Sequence, residues 1–379
     1  MDLVSVARKI IPPKLRYAIQ RRISLVDLKL RHRAESDPLS GVTGSGAEVS
    51  GPVRLGILRN AAQYHTHYVK AAQEMGVPFT VVDLYRSDWL ERVREAECDA
   101  FLFWPDGFLG IWGRMLKDRV RMLEEEMGYL VMPSTDSAWM FEDKRRMAYW
   151  LGANSVPHPQ TWVFYDRAEA DAFAQTCALP LVFKTPFGAA ASGVEIVKTR
   201  KRLRSLIARS FKSGIPAGGS DHRDREWGVI VLQEHVPIVR EWRMVRIGDS
   251  YFGHPKGQVG EFHSGSGVAH WDIPSDPLLD MLHDITERGG FRSMDVDIFE
   301  TEDGRFLVNE LQAVFGASTS VDQSRVDGQA GRFVRREGGG WEFEAGEFAR
   351  NACANERIRD ILARLPAHTK GAEPAVPSA

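Results

Sequence analysis

Leu181-Val182-Phe183-Lys184-Thr185-Pro186-Phe187-Gly188-Ala189-Ala190-Ala191-Ser192-Gly193-Val194 is the stretch on which the reading of this chain turns. Its apolar opening, residues 181–183, has the composition and length of a strand, and it delivers one cation, Lys184, where a loop of small residues begins. Gly188 and Gly193 permit backbone conformations closed to other residues. The alanines and Ser192 between them keep the surface low enough for backbone N–H groups to reach phosphate oxygens. The lysine adds a point charge to that cradle. The stretch matches neither G-x-x-x-x-G-K-[ST] nor G-x-G-x-x-G, so a nucleotide site here is of another kind. Taken alone, it also reads as a small-residue hairpin turn with an exposed lysine.

Composition sets the frame. A chain of 379 residues with 43% apolar residues has room for two or three packed domains. Its net charge of -2 lacks the basic excess of a general nucleic-acid binder. Cys98, Cys177 and Cys353 lie far apart and form no C-x-x-C, which argues against a zinc site or a disulfide framework and fits a reducing cytoplasm. No apolar run approaches the length of a spanning helix, and the N-terminus lacks the h-region of a signal peptide.

Outward from the loop, the chain divides by pattern. Residues 1–35 form a basic amphipathic helix opened by Pro12 and Pro13, suited to an anionic membrane surface or to packing on its own protein or a partner. Residues 36–51 read as a flexible linker. Residues 52–133 alternate short apolar strands (53–58, 79–82, 100–104, 130–132) with helices (64–74, 89–95, 113–126), which implies an open parallel sheet. Ligands of such a sheet lie beyond its strand ends, where Arg59, Asn60, His65, Trp104 and Asp106 are the candidates. His65 and His67 read as polar loop residues rather than a metal pair. In the next unit, residues 142–152 read as a helix carrying Lys144, and 161–164 as a strand. Residues 201–211 read as a basic helix with a solvated face, and 213–226 as a mobile loop. At the far end, residues 346–365 read as a surface helix and 366–379 as a disordered tail.

The charged strands come after the loop. Alternation places Glu241 and Arg243 on one face of R-E-W-R-M-V-R and Trp242 and Met244 on the other. Farther on, M-D-V-D-I-F and F-L-V-N-E-L-Q form a hairpin that brings Asp297 near Glu310 and Gln312. These are oxygen donors only, a set suited to magnesium. Alternation aims Asn309 to the opposite face.

In this order, Lys144 on a helix, Lys184 before the small-residue loop, Q-E-H-V at a strand end, R-E-W-R, D-I-F and N-E-L-Q-A-V-F-G closely resemble the ATP-grasp superfamily over residues 134–317. The resemblance implies an α/β (α+β) chain: an N-terminal open parallel-sheet domain (52–133), then an ATP-grasp fold of two α+β subdomains (134–232 and 233–330) that clamp ATP. A C-terminal helical extension (331–365) follows. It also implies roles. Lys144 and Lys184 match the lysines on the ATP phosphates, and Gly188, Ser192 and Gly193 belong to the loop that closes over them. Gln233, Glu234 and Val236 match the stretch that holds adenine, and Glu241 the acid on the ribose. Arg243 looks like the arginine near the transferred phosphate, and Lys256 stands in for an arginine of amino-acid ligases. Asp297, Glu310 and Gln312 match the ligands of Mg2+ (or Mn2+), although the family usually has asparagine at the position of Gln312.

The reaction so implied is carbon–nitrogen bond formation by a carboxylate-amine ligase. ATP phosphorylates a small-molecule carboxylate, and an amine attacks the acyl phosphate. The loop 261–267 and the first sheet's strand ends, such as Asn60 and Asp106, are the candidates for acceptor recognition. A cell-surface polysaccharide precursor and a small peptide or natural product are equally open as substrates, and a homo-oligomer is compatible with the family. Two alternatives stay open: a kinase built on the same fold, and a nucleotide-binding scaffold without catalysis.

Overall fold

The computed structural model describes residues 25–40, 42, 53–107, 109–188, 193–216, 224–257, 271–315 and 324–365. Helix α1 (Leu25–Ser36) comes first. Its Arg33 donates to the Ala62 carbonyl at 3.2 Å and lies 4.7 Å from the Tyr64 ring centre, so this end of the basic segment packs on the chain's own turn between β1 (Leu55–Leu58) and the helix that follows it. The rest of that segment, residues 1–24, lies outside the described residues, as do 41 and 43–51 of the linker and the tail from 366.

The first sheet is parallel with strand order β2-β1-β3-β4, from β1 (Leu55–Leu58), β2 (Phe79–Val82), β3 (Ala100–Leu102) and β4 (Leu130–Met132). These strands read as unbroken apolar runs because helices cover both faces. Leu55, Ile57 and Leu102 pack towards α2 (Thr66–Met75), while Leu58 and Phe101 share a core with Val93 of α3 (Trp89–Glu95) and with Leu116 and Val120 of α4 (Gly110–Arg121). Gly56 is required there, since a Cβ would stand 2.2 Å from the Phe101 ring.

Two short helices, α5 (Thr135–Met140) and α6 (Lys144–Ala153), lead into a four-stranded antiparallel sheet of order β5-β10-β6-β7. Its strands are β5 (Thr161–Phe164), β6 (Leu181–Lys184), β7 (Val194–Val197) and β10 (Ile230–Glu234), backed by α7 (Arg167–Thr176) and α8 (Arg200–Lys212). The expected mobile loop 213–226 instead carries a small ladder, β8 (Ile215–Pro216) with β9 (Arg225–Glu226); residues 217–223 lie outside the described set.

A large antiparallel sheet completes the chain, in the order β14-β13-β11-β12-β16-β15 with β17 on β16. It comprises β11 (Ile238–Ile247), β12 (Ser250–Pro255), β13 (Ser293–Thr301), β14 (Phe306–Gln312), β15 (Ser324–Val326), β16 (Gln329–Arg335) and β17 (Trp341–Ala345). The last two strands occupy residues expected to be a helical extension. Alternation holds along β11: Trp242 and Met244 pack with Leu278, Leu279 and Leu282 of α9 (Asp276–Arg288), and Glu241 and Arg243 face the other way.

The expected surface helix is a correction. Helix α10 (Arg350–Arg364) is largely buried, with Ala352, Cys353, Ala354, Ile358 and Ile361 in the core shared by α2 and β11. Its charged residues suggested solvent because sequence does not reveal partners. Glu356 accepts from Ser250, Asp360 pairs with Arg292, and the fully buried Arg357 donates to Ser293 and to the Ala352 carbonyl. The first turn of α10, Asn351 to Cys353, is left-handed, a conformation unfavourable for L-residues that the Arg357 bond to Ala352 helps hold.

Candidate active site

The glycine-loop hairpin is built as its residue types require. Strands β6 and β7 pair antiparallel with Lys184 opposite Val194. Gly193, at φ +86°, accepts from the Thr185 N–H at 2.9 Å, and a Cβ on it would stand 2.4 Å from Thr185. Gly188 sits at φ +142°. Both positions favour glycine. Ser192 and the alanines 189–191 lie outside the described residues. The Asp143 carboxylate caps α6 by accepting from the Arg145 and Arg146 N–H groups, which fixes Lys144 as that helix's first residue. The Lys144 N–H donates to the Pro186 carbonyl at 2.9 Å, and the Gly188 N–H to that of Glu142 at 3.3 Å, so helix start and loop start are tied together.

Opposite this loop stands the charged face of the large sheet. Arg243 of β11, Asp297 of β13 and Glu310 of β14 lie side by side in register, with Asp295 opposite Gln312 in the same hairpin. Directly opposed residues project to one face of a sheet. Lys256 joins them, its N–H bonded to the Glu241 carbonyl. The side chains then interlock: Lys256 with Asp297 and, at 3.1 Å, with Glu241; Arg243 with Asp295 at 3.1 Å and Asp297 at 3.6 Å; Lys144 with Glu310. Lysines from the loop lobe thus meet acids from the sheet lobe.

Asn309 departs from the alternation expected of it. Asp297 pairs with Glu310 while Ile298 pairs with Val308, so Asn309 is the extra residue of a β-bulge. The bulge lets neighbouring residues 309 and 310 both reach the cleft. Asn309 Oδ1 accepts from Lys184 Nζ at 2.9 Å, and Asn309 Nδ2 donates to Glu241 at 3.4 Å. Asp295 was likewise missed, although its place two residues before Asp297 puts it on the same face.

Burial and neighbouring charge set the ionisation of these groups. Burial, then Lys144, pushes the Lys184 ammonium down to about 8. Burial also lifts Glu142, beside Lys144, up to about 7. For the Lys144–Glu310 pair, burial opposes both charges, yet attraction between them wins and each is shifted toward its charged form. Lys256 follows the same balance with Asp297 and Glu241.

Magnesium fits the residues present. Among the described residues, Asp297 Oδ1 and Gln312 Oε1 are buried oxygens without a hydrogen bond, and Gln312 directs its NH2 at the Glu310 carboxylate, leaving its amide oxygen over. Together with Glu310 they make an all-oxygen donor set beside the lysines.

The other expected residues lie outside this network of ion pairs. Gln233 Nε2 donates to Thr161 at 2.9 Å, and Glu234 accepts from the Gln160 N–H at 3.3 Å; Val236 lies on the short link from β10 to β11 that joins the two sheets. At the first sheet's strand ends, Asn60 donates to the Trp104 carbonyl at 3.0 Å and its N–H bonds His65, while Asp106 accepts from Tyr85 at 2.6 Å. His65 and His67 are not the polar loop residues that the sequence suggested: His65 is buried at the N-terminal boundary of α2 and His67 lies within α2, its ring tilted and 5.7 Å from that of Trp104. The loop 261–267 lies outside the described residues.

No protein-family model and no curated protein matches the chain. Solved structures do. A RimK domain ATP-grasp protein from Sphaerobacter thermophilus aligns over 82% of this chain and 99% of its own, at 17% identity and a TM-score of 0.51. The N5-carboxyaminoimidazole synthetase of Staphylococcus aureus, complexed with ADP, aligns over 77% and 84%, at 14% identity and a TM-score of 0.51. The D-alanine–D-alanine ligase of Bacillus anthracis aligns over 71% and 89%, at 14% identity and a TM-score of 0.50. Identities this low speak for architecture alone, and the architecture is plain: the chain has the ATP-grasp fold.

Proposed function

We propose that the chain is an ATP-dependent carboxylate-amine ligase working through an acyl phosphate. The observation that carries this reading is the cleft between the two sheets, where Lys144 and Lys184 from the glycine-loop side meet Glu310 and Asn309 from the acidic sheet. The structural neighbours named as a synthetase and a ligase support the same class.

Asp297, Glu310 and Gln312 would hold magnesium, which would supply positive charge to offset that of the phosphates. Lys184 and Lys144 bind the phosphates of ATP, and the loop 188–193 closes over them to exclude water. Gln233, Glu234 and Val236 hold the adenine, and Glu241 accepts from the ribose hydroxyls. Arg243, with Lys256, faces the phosphoryl group as it passes to the substrate carboxylate. Transfer of this kind depends on positioning and charge stabilisation rather than on a protein nucleophile. An amine then displaces phosphate to form the amide.

The test is ADP release from magnesium-ATP with pooled amino acids and sugar acids, each pool omitted in turn and Glu310→Ala as control. Release that requires both a carboxylate and an amine supports the ligase. Release with a single component, and a product heavier by one phosphate, would make it a kinase.

A further inference from the structure

The row of charged residues on the large sheet does not end at Arg243. On β12 the residue directly opposite Arg243 is His254, so Glu310, Asp297, Arg243 and His254 form one row across four strands on one face. Burial pushes the His254 imidazole down to about 4, so it adds no charge near neutral pH. Beyond this row the edge of β12 meets β15: Ser324 Oγ accepts from the Gly253 N–H at 2.8 Å and donates to the Gly253 carbonyl at 3.2 Å. The next residue is Arg325, and it shares a ring with His254. Trp271 lies 5.7 Å from the His254 ring and 4.6 Å from the Arg325 guanidinium carbon.

Arg325 differs from the other cations of this face. Arg243 and Lys256 are engaged by Asp295, Asp297 and Glu241. Among the described residues, Arg325 has no carboxylate within ion-pair distance and its guanidinium makes no hydrogen bond; its contact is the Trp271 ring. Of the acids nearest in sequence, Asp272 is held by Arg240 at 2.7 Å, and Asp327 stands in the exposed turn from β15 to β16. Arg325 is partly exposed, and Trp271 keeps 36% of its surface open. A guanidinium stacked on a ring still has its terminal N–H groups to offer. Cation and open ring together suit an anionic group carried beside an aromatic or apolar one.

We propose that Arg325 and Trp271 anchor the non-reacting end of the substrate, a carboxylate carried beside an aromatic or apolar group, while its other end reaches Arg243. The task of Arg243 rests on the ligase reading; the anchor itself does not. Ligand-observed NMR titration of the full chain without nucleotide tests it with three probes: benzoate, benzamide as the ring without charge, and acetate as the charge without a ring. Benzoate is expected to bind saturably and more tightly than either other probe. Arg325→Gln should weaken it about tenfold, the scale of one charge-assisted hydrogen bond, and Arg325→Lys should recover part of that loss. Trp271→Ala should weaken it about fivefold. Absence of saturable benzoate binding at millimolar concentration, equal binding of benzamide or acetate, or unchanged affinity in Arg325→Gln would overturn the proposal. Should Arg325→Gln fold poorly, Trp271→Ala decides. Magnesium-ADP binding to the wild-type chain is measured in parallel. ADP binding without benzoate binding refutes the anchor alone, and benzoate binding without ADP binding refutes the ligase reading alone.

Discussion

Lys184→Met should make the nucleotide-free protein more stable while removing its grip on nucleotide. Lys184 is 7% exposed, and its pKa falls from 10.5 to about 8 because burial and Lys144 both disfavour the charge. A shift of that size corresponds to about 3 kcal/mol against the charged form. Methionine fills similar space without the charge but deprives Asn309 of its donor, a loss of about 1 kcal/mol. The net expectation is a gain of about 2 kcal/mol near neutral pH, read by urea unfolding. The pH course gives an independent check. Between about pH 8 and 10.5 the unfolded chain keeps a proton on this lysine that the folded chain releases, so wild-type stability rises with pH relative to the variant. The gap between the two proteins should close over that window, while ADP raises the melting temperature of the wild type only. A variant less stable than wild type at neutral pH, or a gap unchanged at about pH 10, would refute the reasoning.

Lys184→Ala and Glu310→Ala should each abolish ADP production, and unchanged ADP release in either removes the proposed site. Asn309→Ala should raise KM for ATP roughly tenfold with a smaller effect on kcat, because it frees Lys184 and Glu241 from a shared anchor; a loss confined to kcat would contradict that role. Gly193→Ala forces a Cβ against Thr185 at positive φ and should destabilise by about 1–3 kcal/mol in urea unfolding. His65 and His254 are both held down to about 4 by burial. As pH falls from 6.5 to about 4, the unfolded chain takes up protons that the folded chain refuses. Stability should drop by about 3 kcal/mol per histidine, and His65→Gln should flatten that acid limb.

Much of the fold was legible because its strands are short, apolar and separated by breakers. Residues 79–82, 130–132 and 161–164 form strands at the expected bounds, and Trp89–Glu95 is helical as expected. That the candidate residues come together was legible by type and order: Lys184, Glu241, Arg243, Lys256, Asp297 and Glu310 converge in space. What failed depended on partners remote in sequence. The burial of α10 rests on Ser250, Arg292 and Trp104, none of which its own pattern reveals. Asn309 failed for a different reason. A period of two is blind to a single inserted residue, and the bulge that turns Asn309 into the cleft is a property of the β13–β14 register rather than of the N-E-L-Q string.

The pairing across the cleft explains how so many charges tolerate burial. Lys144, Lys184, Lys256 and Arg243 face Glu241, Asp295, Asp297 and Glu310, four positive groups against four negative, and Glu142 adds little because burial favours its neutral form near pH 7. Removing a member of a contacting ion pair, such as Lys144 or Asp297, leaves its partner buried and unpaired, at a cost of roughly 3–5 kcal/mol, whereas Lys184 contacts the neutral Asn309 and its loss strands no carboxylate. The acids that suit magnesium are the ones now holding Lys144 and Lys256. A lysine already charged and buried beside a carboxylate has been stripped of water before any phosphate arrives. Exchanging the carboxylate for a phosphate oxygen then costs far less than drying a solvated ammonium. On the proposed function these ion pairs would keep the lysines dehydrated at the place where phosphate binds.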